Sequence, residues 1–251
     1  MPRSTPIRLA AACALALALS LSLTAGAIAK GFSADLRVVG ANGKILAEKP
    51  VTTATTSVKT SPKANCFGAG SGGSGDAVSI KGNTAMGLLA AASKTTGALK
   101  PLLISDHFDF GLALCGVGSS VVKGEASWYL KINHKALSVG GDAAKIKAGD
   151  EVLWDLAPSY PYPNELSLTV PKVVNAGKAF TVKVVSYDEK GKAKPAAGVK
   201  VTGASGLTQA NGKTTVTLAR SGQLTATKGE EIPSRVSVCV GGAAVLCQTG
   251  K

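Results

Sequence analysis

Hydrophobic and polar positions alternate along most of this chain in short runs with a period of two. Leu36-Arg-Val-Val39 has that period, Asn42-Gly43 is a type I′ hairpin signal, and Ile45-Leu46 resumes an extended return. Residues 51–59, rich in Val and Thr, read as a further strand. One segment has the helical spacing instead. Met86, Leu89 and Ala90 fall at i, i+3 and i+4, and Asn83 or Thr84 stands at the N-cap, which predicts a helix over residues 85–94. Strand-like pieces return at 110–114, 128–132 and 151–156.

Residues 158–164, Pro-Ser-Tyr-Pro-Tyr-Pro-Asn, carry three prolines and predict an extended, fairly stiff connector. Beyond it, β segments recur at short intervals: 166–170, 179–186, 199–201, 214–218, 224–227 and 236–240. Turn signals at Asn175-Ala-Gly177, Glu189-Lys-Gly191, Asn211-Gly212 and Ser221-Gly222 separate them, a pattern that predicts a β-sandwich. The chain is therefore expected to be mainly β, with domains at 30–158 and 165–251 joined by a linker at 159–164.

Residues 1–29 read as an export signal. Arg3 and Arg8 precede an apolar run over 9–23, and small residues follow at cleavage spacing, Ala25-Gly-Ala27 or Ala27-Ile-Ala29. The rival, a membrane anchor, needs ~20 apolar residues. No later run reaches that length, so the mature protein is expected to carry no transmembrane anchor and to be secreted or held in the cell envelope. Four cysteines then remain, Cys66, Cys115, Cys239 and Cys247, and an even number in an exported chain predicts disulfides. Three connectivities are possible. Cys66–Cys115 with Cys239–Cys247 is the expected one, because it keeps each bridge inside one predicted domain. A four-Cys zinc site is disfavoured by the lack of any CxxC pair.

The net charge is +13, or +11 without Arg3 and Arg8. The lysines are dispersed, which favours weak, salt-dependent contact with anionic envelope polymers or lipid headgroups. Nucleic acid is not an expected partner: arginine is sparse, aromatics are 4%, and the compartment is wrong. Another exported protein remains a possible partner.

Few residues suggest chemistry. Trp128 and Trp154 sit on the apolar side of predicted strands, as core residues or as an edge of a ligand groove. Asn133-His134 and Gly149-Asp150 read as turns, with a ligand contact from the 133–135 turn as the sharper alternative. Trp128, Asn133, His134 and Trp154 are the candidate ligand-binding residues. Gly68-Ala-Gly-Ser-Gly-Gly73 matches GxGxxG but lacks the strand before it and helix after it, so a flexible loop is expected. Asp106-His107-Phe-Asp109 reads as a polar turn rather than a metal site. Ser120-Val-Val-Lys123 lacks the companion motifs of an acyltransferase. No catalytic residue, metal or cofactor is expected.

Leu36-Arg-Val-Val-Gly-Ala-Asn-Gly43, Gly82-Asn-Thr-Ala-Met-Gly-Leu-Leu89, Trp128-Tyr-Leu-Lys-Ile-Asn133 and Ala148-Gly-Asp-Glu-Val-Leu-Trp154 occur in an order that resembles the transcobalamin C-terminal-like, β-grasp-like domain of exported bacterial proteins. The resemblance implies an α+β fold with one helix, and the Cys66–Cys115 placement looks like one branch of that family. The second half is similar to bacterial Ig-like or carboxypeptidase-regulatory-like sandwiches, on Asn175-Ala-Gly-Lys-Ala-Phe-Thr-Val182 and Pro195-Ala-Ala-Gly-Val-Lys-Val201. Together they imply a non-enzymatic binding or scaffold protein of the envelope or extracellular space. The alternatives are a binder of a corrinoid or other small molecule, and a purely structural or adhesive module.

Overall fold

The period-two stretch at Ser33 forms a hairpin of β1 (Ser33–Gly40) and β2 (Lys44–Thr52). Asn42 and Gly43 both take positive φ, as the turn signal requires, although residues 41–43 make a three-residue connection. The structure is a computed structural model that describes residue 1, residues 31–171 and residues 173–241. The expected leader and Cys247 lie outside the described residues.

β3 (Thr56–Lys59) and β4 (Ala77–Ile80) flank the glycine-rich loop, and α1 (Ala85–Thr95) follows. Thr84 caps α1, its Oγ1 accepting from the Gly87 N–H at 3.0 Å. β5 (Leu102–Phe108), β6 (Gly111–Val117) and β7 (Ser120–Val121) make a small antiparallel sheet. β8 (Ser127–Ile132), β9 (Lys135–Ala136) and β10 (Glu151–Ala157) complete the first half. The main sheet there has the order β2-β1-β10-β8-β9, with β1 parallel to β10.

Both faces of this sheet are covered. Leu36, Val38, Leu130, Val152 and Trp154 join Met86, Leu88 and Leu89 of α1 in one core, which Ile80, Ile104, Leu114 and Val117 close. On the opposite face Val39, Tyr129, Leu153 and Ala157 pack with Ile232 from the second half. β10 is consequently buried at every position from 152 to 157, as a strand covered on both sides must be.

The second half contributes β11 (Glu165–Thr169), β12 (Val173–Val174), β13 (Ala179–Tyr187), β14 (Ala193–Pro195), β15 (Lys200–Val201), β16 (Lys213–Thr217), β17 (Gly222–Lys228) and β18 (Glu231–Val240). Their order is β14-β13-β11-β18-β17-β15, with β12 on β18 and β16 on β13. The sheet curls around Leu166, Leu168, Val182, Val184, Val216, Leu224 and Val238. The chain is thus mainly β, with one α-helix among the described residues. None of its described helices is long and apolar enough to cross a membrane.

Two local expectations need correction. Asp106 and His107 belong to β5, and the turn is Asp109-Phe110: the apolar run 102–104 starts the strand early and pairing with β6 carries it on. The glycine-rich loop is pinned, with Ser105 Oγ donating to Ser71 O at 2.6 Å and both Asp106 carboxylate oxygens accepting from Ser74, from its N–H and its hydroxyl, at 2.7 Å. Within the proline-rich segment, Tyr162 stacks on Tyr129 with ring centroids 4.0 Å apart.

Cys66 and Cys115 form a disulfide across 49 positions of sequence. Cys239 is also disulfide-bonded. Closing a loop of the Cys66–Cys115 length is worth at most about 4 kcal/mol by loss of chain entropy in the unfolded state. Replacing both cysteines by serine is therefore expected to lower the unfolding free energy by up to that amount, read from urea melts.

Candidate functional site

β11 and β18 are sheet neighbours that pair only at Glu165 and Ile232. β18 next meets a partner on that side at β12, where Val173 faces Cys239. Between these points, side chains from the first sheet stand in for the ladder. Arg37 Nη1 donates to Leu166 O at 2.8 Å and to Pro233 O at 3.2 Å, one carbonyl from each side of the seam. Glu48 Oε2 accepts from the Arg235 N–H at 2.6 Å. Ser234 Oγ accepts from the Leu168 N–H at 3.3 Å and donates to Glu48 Oε1 at the same distance. Buried backbone groups require partners, and here one half of the chain supplies them to the other.

The same arginine opens a buried ion cluster. Its Nη2 lies 2.5 Å from Glu165 Oε1, while Lys131 Nζ lies 3.1 Å from Glu165 Oε2. Lys131 has no exposed side-chain surface and Glu165 only 2%. Lys131 Nζ also donates to Asp188 O at 3.0 Å. Burial pushes Glu165 up, but the His134 hydrogen bond and the charges of Arg37 and Lys131 outweigh it and hold the carboxyl at about 2. Asp155, buried beside these groups, is pushed up by burial to about 7, with Glu165 adding to the rise and Arg37 and Lys131 opposing it. Burial lowers Lys131, against the pull of Glu165. The Tyr129 hydroxyl, raised by burial, is enclosed without a hydrogen-bond partner.

The four candidate residues do not converge on one spot. Trp154 is buried against α1, its Nε1 donating to Ala85 O at 3.4 Å, and Trp128 packs on the same core half-buried. Asn133 and His134 form the two-residue turn between β8 and β9, both at positive φ. Asn133 clasps the Gly149-Asp150 turn: its Nδ2 donates to Asp150 Oδ1 at 3.0 Å and its Oδ1 accepts from the Glu151 N–H at 2.9 Å. His134 turns toward the second half. Its Nδ1 lies 2.9 Å from Glu165 Oε1, its Nε2 3.4 Å from Glu151 Oε2, and its ring stacks on Tyr187 at 3.7 Å. The Ala136 N–H donates to Glu189 O at 2.8 Å, so the hairpin tip is bonded to the 187–191 turn as well.

Where the two sheets splay apart, a cleft of about 780 Å³ opens above Arg37, Glu165 and His134. β1 and β10 contribute Asp35, Glu151 and Leu153, and β11 and β18 contribute Ser167, Thr169, Arg235 and Ser237. The walls thus pair hydroxyls and a guanidinium with carboxylates, over an ionic floor whose charges are mutually engaged. Val170, Val173 and Val236 line it as well, so the cleft offers a small molecule apolar contacts beside its hydrogen-bonding groups. Among the described residues no cluster of three or more His, Cys, Asp or Glu could hold a metal.

Arg37, Glu48, Lys131, Asp155 and Glu165 escaped the sequence reading. Three of them share a signal, a lone charge inside an apolar strand: Arg37 in Leu-Arg-Val-Val, Lys131 in Trp-Tyr-Leu-Lys-Ile, Asp155 in Val-Leu-Trp-Asp-Leu. Searches against family models, curated proteins and solved structures find no match to this chain.

Two outcomes follow for stability. Arg37→Met leaves Glu165 and two carbonyls short of a partner and is expected to cost about 3–5 kcal/mol in a urea melt. With pH, Glu165 is depressed from 4.5 to about 2, so its contribution is lost as pH falls through that window. Asp155 is raised from 3.8 to about 7, so the folded state binds more protons and stability falls as pH climbs through that window. The two windows overlap between pH 3.8 and 4.5, where this pair together contributes most, and Glu48, raised by burial, adds to the fall above it. Asp155→Asn should therefore make the decline of melting temperature above that overlap shallower while keeping the loss at acid pH.

Proposed function

We propose that this chain is an exported, non-enzymatic binding and scaffold protein of the bacterial cell envelope or extracellular space, which takes a polar small molecule in the cleft between its sheets. The cleft carries this reading. Its volume of about 780 Å³ falls within the roughly 300–1,000 Å³ typical of small-molecule sites, and its walls bring several hydrogen-bonding side chains together. In the same reading, residues 30–158 are a transcobalamin C-terminal-like, β-grasp-like domain, 159–164 its linker, and 165–251 an Ig-like sandwich. The ordered motifs from Leu36 to Trp154 support the first assignment. The Cys66–Cys115 bridge fits an oxidising compartment. The role of His134 favours binding over turnover: it is held by Glu165, Glu151 and the Tyr187 ring.

A thermal-shift panel of wall sugars, amino sugars, polyols and corrinoids tests the reading. A ligand at 100 times its dissociation constant adds about 2.7 kcal/mol. The expected result is a shift with at least one compound that Ser167→Trp and Ser237→Trp, which fill the cleft, both abolish. A panel without any shift, or a shift indifferent to both tryptophans, overturns the cleft as the binding site.

A further inference from the structure

The two walls of the cleft carry opposite charges. Leu36 and Val152 enter the core shared with α1, so their strand neighbours Asp35 and Glu151 leave β1 and β10 on the other face, toward the cleft. The two are register partners on adjacent parallel strands, which puts both acidic side chains next to each other on that face. Leu166, Leu168 and Val238 enter the core of the second sheet, so Ser167, Arg235 and Ser237 leave β11 and β18 toward the cleft in the same way. One wall is thus acidic, and the other sets a guanidinium among hydroxyls.

The floor charges engage one another, but the wall charges do not. Arg235 donates its backbone N–H to Glu48, while its guanidinium enters no hydrogen bond or ion pair among the described residues. The Glu151 side chain is 46% exposed, and its ion-pair partner among the described residues is His134, whose Nε2 lies 3.4 Å away. A neutral imidazole has a single N–H, and His134 commits it to Glu165 through Nδ1 at 2.9 Å. The nitrogen that faces Glu151 is then a lone pair rather than a donor. The other two cations of the cleft leave this balance unchanged: Arg37 is held by Glu165 and two carbonyls, and Lys49 stands opposite Leu36, on the α1 side of β2.

We infer, resting on the reading of the cleft as a small-molecule site, that its ligand is a zwitterion: an ammonium group held by Glu151 beside Asp35, and an anionic group held by Arg235, Ser167 and Ser237. A neutral polyol would leave the charges of both walls unmatched in a recess that excludes part of their water. An amine would match the acidic wall and face Arg235 with a like charge, and a simple carboxylate would do the reverse. A molecule bearing both charges meets both walls. Val170, Val173 and Val236 give the carbon chain between its charges an apolar surface. Such a ligand draws on none of the floor contacts, so Arg37 keeps its place between β11 and β18.

Calorimetric titration with β-alanine, γ-aminobutyrate and ε-aminocaproate, each beside the amine, the carboxylate and the alcohol of the same chain length, tests the inference. At least one of these zwitterions is expected to bind about tenfold or more tighter than all of its matched compounds. Arg235→Gln should lower its affinity to that of the matched amine, Glu151→Gln to that of the matched carboxylate, and Ser167→Trp should abolish binding. The matched series is read on the native chain, so the comparison holds even where a variant is destabilised. Zwitterions that bind no tighter than their matched compounds, or not at all, overturn the inference, as does an advantage that survives both charge substitutions. In those cases a compound of this series or of the thermal-shift panel whose binding Ser167→Trp blocks still upholds the cleft as the site. If no compound of either set binds, the zwitterion and the cleft reading fall together.

Discussion

The guanidinium of Arg37 is the constraint around which the two halves are arranged. It leaves β1 on the face opposite α1, enters the seam between β11 and β18, and bonds a carbonyl on each side. A sheet opened between two neighbouring strands exposes donors and acceptors that water would otherwise fill. Arg37 and Glu48 fill them from the other half of the chain, so the second sheet is completed only when the first is docked on it. Arginine suits the place because its planar fork carries five donors and never loses its charge. A lysine would have to serve both carbonyls and Glu165 from a single nitrogen, without the spread of the fork.

Burying such a cluster is not a route to high stability in itself. Desolvation of Arg37, Lys131 and Glu165 offsets much of their attraction, and apolar side chains of similar size are often as stabilising. Its distinctive effect is on geometry. An apolar interface built from Val39, Tyr129, Leu153, Ala157 and Ile232 alone would tolerate sliding. The bonds from Arg37 to Leu166 and Pro233, from Lys131 to Asp188, and the His134 stack on Tyr187 fix one register between the sheets.

Much of the secondary structure is readable from the sequence, because it rests on local rules. The helix after Thr84, the positive-φ turns at Asn42-Gly43 and Asn133-His134, and most strands follow from spacing and turn chemistry. What local rules do not show is which second surface a strand meets. Val-Leu-Trp-Asp-Leu-Ala in β10 departs from alternation because both its faces are covered, and Asp155 stands among apolar neighbours for the same reason. His134 reads as a turn residue and is one, yet its ring is committed to Glu165, a partner 31 positions away in sequence. The cleft is less legible still, since its walls come from β1 and β10 on one side and β11 and β18 on the other.

The cleft and the cluster are two consequences of one wedge. Arg37 and Glu48 enter the seam at its Glu165 end and bond there, while Ser167, Thr169 and Ser237 line the cleft. The floor charges are engaged with one another, so a bound molecule would gain most from the hydroxyls and from the groups nearer the mouth, Arg235 and Glu151. An occupant that instead competed for Glu165 would have to loosen Arg37 from both strands. The wedge that makes the site thereby sets its chemistry: a ligand that bonds to the walls is compatible with the docked sheets, whereas one that draws on the floor is opposed by the interaction that holds them together.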